Sequence, residues 1–96
     1  MVVDLISFRV KPDRVREFER HNEDWLRLMR RTRGFVTQSL MRNVDRPGEF
    51  VATVRWVSRD YRDRFVAVDD AERRALNQQG RDILEAPPVS VLLEGP

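Results

Sequence analysis

Residues 35–57, FVTQSLMRNVDRPGEFVATVRWV, decide how this chain folds. Residues 35–42 alternate between apolar and polar, and residues 50–57, FVATVRWV, form a β-branched and aromatic run. Between them NVDRPGE, 43–49, carries Asp45, Pro47 and Gly48, which supply the chemistry of a hairpin turn. Two antiparallel neighbours are therefore predicted at the centre of the sequence. Upstream, residues 2–10, VVDLISFRV, read as a strand that ends at Lys11-Pro12. Asp13 is expected to cap a helix that runs to about Thr32 and is stopped by Gly34. Downstream, Ser58 offers an N-cap, with Asp60 in the first turn of a helix starting near Arg59. Asp69-Asp70 suggest an interruption and a second start, so this helix is expected in two pieces, ending between Gly80 and Glu85. Pro87-Pro88 break it, and VSVLLE, 89–94, is a last strand. The order is β-α-β-β-α-β, an α+β, ferredoxin-like arrangement. It predicts a four-stranded antiparallel sheet with both helices on one face, in a single domain over residues 1–96.

Helices on one face should leave the other face polar in a monomer. The strands do not comply. The first presents Val2, Ile6, Phe8 and Val10 on one side and Val3 and Leu5 on the other. The third presents Phe50, Ala52, Val54 and Trp56 against Val51 and Val57. The last is apolar on both sides, with Val89, Val91 and Leu93 against Leu92. A second sheet is expected to cover the open face, most simply that of another copy of the chain, so a homodimer is inferred.

Composition narrows the function classes. With 41% hydrophobic and 35% charged residues the chain is that of a soluble globular protein. No apolar run approaches the roughly 20 residues that span a bilayer, and the first strand, interrupted by Asp4, does not read as a signal peptide. The absence of cysteine excludes disulfides, thiolate catalysis and cysteine-ligated metals. A cytoplasmic protein with no membrane partner is expected. Net charge is only +2, and of 18 lysines and arginines Lys11 is the sole lysine. The densest basic cluster, Arg27, Arg30, Arg31 and Arg33, ends the first helix, where cations complement the helix dipole. Acidic residues are interleaved with the basic ones throughout and no nucleic-acid motif is present, so no nucleic-acid partner is expected.

The chemistry-bearing stretch is FERHNEDWLRLM, 18–29. At about 100° per residue, Val15, Phe18, Trp25, Leu26 and Met29 gather into one apolar stripe, and Asn22 falls within about 20° of its centre. An amide there needs partners, because burying it unpaired costs on the order of 1–3 kcal/mol. Either it bonds a backbone group or a buried water, or it lines a cavity between helix and sheet and bonds a ligand. His21, the chain's only histidine, is expected at the stripe's edge, peripheral and partly exposed beside Trp25. One histidine without cysteine makes a protein-built transition-metal site improbable.

With these residues in view, the chain resembles the antibiotic biosynthesis monooxygenase family of dimeric α/β barrels. Gly34-Phe35 after the first helix, the DRPGEF hairpin (45–50) and Arg55-Trp56 followed by a capped helix carry the resemblance. The family includes cofactor-independent oxygenases of anthrones and hydroquinones, haem-degrading enzymes, an isomerase of a signalling sugar phosphate, and members without known activity. The resemblance implies two sheets closed face to face and a ligand pocket between helices and sheet. Trp56 matches the family's pocket tryptophan. The haem-degrading branch needs an asparagine on the first strand and an axial histidine on the second helix. This chain has neither, which argues against haem degradation. The anthrone oxygenases carry an asparagine shortly before the tryptophan, where Ala52 and Thr53 stand here, and Asn22 could supply that amide from across the pocket. Without a Gly-rich dinucleotide motif or a metal cluster, any oxygenase chemistry is expected to need no cofactor. The expected site has Asn22 as oxyanion stabiliser, His21 as base, and Trp25, Met29 and Trp56 as apolar walls around a small aromatic ligand. A non-catalytic binding or accessory dimer, and a purely structural dimer with a filled core, are the competing readings.

Overall fold

A computed structural model describes residues 1–96. Four strands, β1 (Val2–Arg9), β2 (Phe35–Arg42), β3 (Glu49–Trp56) and β4 (Val89–Glu94), form one antiparallel sheet in the order β2-β3-β1-β4. Three helices, α1 (Val15–Arg30), α2 (Arg59–Ala67) and α3 (Ala71–Ile83), complete the ferredoxin-like α+β fold. The second helix of the expected pattern is indeed in two pieces. Asp70 starts α3, its carboxylate accepting from the Arg73 backbone N–H at 2.9 Å. That bond, together with the Arg73 charge, holds the Asp70 carboxyl below its ordinary range.

Two local expectations are corrected. Asp13 does not cap α1: Pro12–Arg14 form a 3₁₀ turn, and Arg14 stands at the N-cap without a side-chain bond. Proline at the first position of that turn tightens the entry, so the helix proper starts two residues beyond Asp13. Ser58 occupies the N-cap of α2, yet its side chain makes no capping hydrogen bond.

Gly34 and Gly48 adopt φ of +89° and +92°, a region costly for any side chain. At Gly34 the chain also passes so close beneath Tyr61 that a Cβ would collide with the ring. At Gly48 a Cβ would lie 2.8 Å from the Val10 carbonyl oxygen.

The helix-side face of the sheet carries Val2, Asp4, Ile6 and Phe8 from β1 beside Phe50, Ala52, Val54 and Trp56 from β3. Two buried clusters form against it. Val2, Met29, Val54 and Trp56 make one, and Val10, Phe18, Phe50 and Ile83 make the other. The opposite face of the sheet is uncovered and mixes apolar side chains with Ser7, Thr53 and Arg55. Val89, Val91 and Leu93 are each about half exposed or more, at 67%, 50% and 49%, and Met41 is 61% exposed. The register sets Leu5 beside Val91 and Val3 beside Leu93 in one group and Met41 beside Val51 in another, with Ser7, Thr53 and Arg55 between them.

Candidate functional site

Between the two buried clusters the core is open. A cavity of about 800 Å³ separates the helices from the sheet, a volume in the range of ligand pockets. Its wall is largely apolar, and all five side chains singled out from the sequence, His21, Asn22, Trp25, Met29 and Trp56, line it.

The aromatic part of the wall is a contiguous series. Phe65 from α2 stands between the two tryptophans, 6.2 Å from Trp25 and 5.1 Å from Trp56 between ring centroids. The Arg73 guanidinium covers Phe65 at 4.8 Å, closing that ring off with its cation. Trp56 is 1% exposed, and its indole Nε1–H has no hydrogen-bond partner. A buried N–H without an acceptor costs free energy, and such donors are rare in native folds.

His21 departs from expectation. It is buried, at 6% exposure, and not peripheral. The reason is α3, which packs along the flank of α1 that carries His21, and Gly80 lets it approach: a Cβ there would sit 3.1 Å from His21 Nε2. Both ring nitrogens are engaged. Nδ1 lies 3.1 Å from Gln79 Oε1, and Nε2 accepts from Trp25 Nε1–H at 3.1 Å. Because an indole N–H can only donate, Nε2 carries a lone pair and the proton sits on Nδ1, toward the amide oxygen. The lone pair that a base would use is therefore committed to Trp25. In this arrangement His21 orients the indole.

Asn22 faces the sheet, as its place in the stripe requires, and its partner is Gln38 on β2. Gln38 Nε2 donates to Asn22 Oδ1 at 2.6 Å, and Asn22 Nδ2 reaches Gln38 Oε1 at 3.5 Å. The long return bond leaves the Asn22 N–H as the looser donor of the pair. Sequence reasoning did not single out Gln38. Alternation along β2 was the available signal, since Gln38 shares its face with Leu40.

A charged pair also went unnoticed. Asp4, on the cavity side of β1, is 7% exposed and meets Arg62 of α2. Arg62 Nε donates to Asp4 Oδ2 at 3.1 Å, and Nη2 lies 3.1 Å from Oδ1 without hydrogen-bond alignment. The Asp4 bond foremost, despite partial burial, raises the Arg62 guanidinium above its ordinary range. No group of three or more His, Asp or Glu side chains is gathered as a metal site, and no helix is long and apolar enough to cross a membrane.

Residues 1–73 match the family model described as antibiotic biosynthesis monooxygenase. The chain belongs to that family. Its fold recurs in SnoaB, a cofactor-independent oxygenase from Streptomyces nogalater, at TM-score 0.84 and 22% identity over 99% of this chain and 92% of that one. A Nitrosomonas europaea protein described as an antibiotic biosynthesis monooxygenase superposes with TM-score 0.84 at 19% identity, over 99% and 98% of the two chains. A Deinococcus radiodurans protein described in the same way gives 0.86 at 11% identity, over 100% and 93%. At such identities the likeness is one of fold. No curated protein matches the sequence. Within the family, the residues of this chain that line the cavity come from every helix and from all four strands.

Proposed function

We propose that the chain is a cofactor-independent monooxygenase acting on a small aromatic or polyketide-like substrate, of the anthrone or hydroquinone type, held in the cavity. The observation that carries this reading is the cavity itself, about 800 Å³ with a largely apolar wall in which Asn22 keeps one loosely bonded amide N–H. A ligand oxygen would accept from that amide, and three-ring aromatics are of a size to fill such a space. In the proposed chemistry an ionised, electron-rich substrate itself reduces dioxygen. The protein contributes desolvation by Trp25, Met29, Phe65 and Trp56, and stabilisation of the developing oxyanion by the Asn22 N–H group. His21 acts here as the residue that positions Trp25, since its own lone pair is already bonded.

We further infer a cytoplasmic homodimer. The open face of the sheet supports it, because its exposed Val, Leu and Met side chains left in water are unfavourable and mark an interface. The second reading, a non-catalytic binding or accessory dimer with the same cavity, draws support from Ala52 and Thr53, which occupy the stretch where the anthrone oxygenases carry an asparagine. Oxygen uptake with anthrone and with a hydroquinone, in the presence of a metal chelator, separates the two. Consumption above autoxidation supports the oxygenase. Tight binding without consumption supports the accessory reading.

A further inference from the structure

Most of the exposed residues in the cavity wall lie on the C-terminal half of α3 and on the segment that leads to β4, among them Asn77, Arg81, Glu85 and Pro87, so the cavity meets solvent there. Asn77 and Arg81 are four residues apart and share one face of α3. The charges of the wall are otherwise matched. Asp4 and Arg62 pair with each other, and Glu85 lies 3.6 Å from Arg9. Arg81 has no carboxylate partner; its Nη2 donates to the Gln78 amide oxygen at 2.7 Å, on its own helix. A cation in the last turn of a helix ordinarily answers the helix dipole. Here that end is already served, because Lys11 Nζ donates to the Asp82 carbonyl at 2.8 Å and Arg14 Nη1 to the same oxygen at 3.4 Å. Arg81 is therefore a surplus cation at the rim of a largely apolar cavity.

We propose that Arg81 binds the carboxylate of an aromatic acid whose rings occupy the apolar interior, with the Asn77 amide beside it as a neutral donor. The planar fork of a guanidinium matches a carboxylate, and its exposed position leaves it free to receive one. One unmatched cation suits a monoanion. A phosphate dianion would bring a second charge to a rim that already holds Glu85. Such a ligand is held in one direction, rings inward and carboxylate at the rim, so Arg81 sets its orientation. The proposal rests on the cavity being a ligand site, and adds the charge its ligand carries and the end at which that charge sits.

The test is a calorimetric titration of the full chain with 1-naphthoate and with 1-naphthamide, which share their rings and differ in charge. Wild type at low salt is expected to bind the naphthoate about fivefold more tightly, the scale of a charge-assisted contact at an exposed rim. Arg81→Gln is expected to bring the two affinities within about twofold of each other by weakening the naphthoate and leaving the naphthamide unchanged. The amide serves as the internal control, since a general disturbance of the cavity would weaken both. Raising the salt to about 0.5 M should shrink the wild-type preference without any substitution, because an exposed ion pair is screened. Equal affinities in wild type at low salt overturn the assignment of Arg81 and leave the cavity reading standing. Binding of neither compound overturns both. A preference that survives Arg81→Gln assigns the carboxylate to another cation and refutes the proposal, as does naphthoate binding that naphthamide does not compete away.

Discussion

The bond between Trp25 and His21 decides whether the histidine is a free base or a fixed support, and a double-mutant cycle measures it. Trp25→Phe keeps an aromatic ring but removes the N–H. His21→Leu keeps a side chain of similar size but removes the acceptor. Each single change also alters packing and solvation, including the edge-on contact of the two rings at 6.4 Å, so neither alone isolates the bond. The cycle does. A neutral hydrogen bond between part-buried groups contributes about 1 kcal/mol, so the double variant should lose about that much less stability than the sum of the singles. In a domain of this size 1 kcal/mol corresponds to roughly 4–8 °C in Tm. Thermal and urea unfolding at one fixed protein concentration would read the difference, because self-association shifts apparent stability with concentration. Additivity within about 0.3 kcal/mol would refute the bond and return the Nε2 lone pair to His21 as a possible base.

Asn22→Leu should lower Tm by about 4–8 °C through the stranded Gln38 amide, and Asn22→Leu with Gln38→Leu should recover most of that, since removing both partners leaves nothing unpaired. Gly34→Ala should be among the most damaging single changes, at about 2–4 kcal/mol by urea unfolding, because it adds a Cβ at positive φ and drives it into the Tyr61 ring. Asp70 has a folded carboxyl below its ordinary value of 3.8, so its contribution is present above that value and is lost as pH falls through the lower folded one. Acid titration of Tm should therefore show wild type converging on Asp70→Asn below about pH 4, with the gap widest near neutrality.

Most of the fold was legible because local chemistry agreed with the global pattern. β2 and β4 begin and end where the alternation and Pro87-Pro88 put them, and the break at Asp69-Asp70 follows from side chains that bond their own backbone. The cap at Asp13 was misread because a proline at the preceding position favours a tight 3₁₀ entry, which moves the helix start. Within the cavity, residues on α1 could be found from one helix's periodicity. His21 could not be oriented in that way, since its burial depends on where α3 lies, and Gly80 carries no periodic signal. Asp4 and Gln38 were within reach of simple alternation, each sharing a face with apolar neighbours. Arg62 and Phe65 were not, because α2 is short and exposed, and its register against the sheet is set by tertiary packing.

The two tryptophans give the account its most direct test. Only Trp25 has its indole N–H bonded within the protein, to His21; that of Trp56 is unpaired. In a ¹H–¹⁵N spectrum, with Trp25→Phe to assign the two indole resonances, saturating 1-naphthol should shift both, because both rings line the cavity. Two indole resonances that both stay in place while the ligand binds would contradict the claim that this cavity is where the protein does its work.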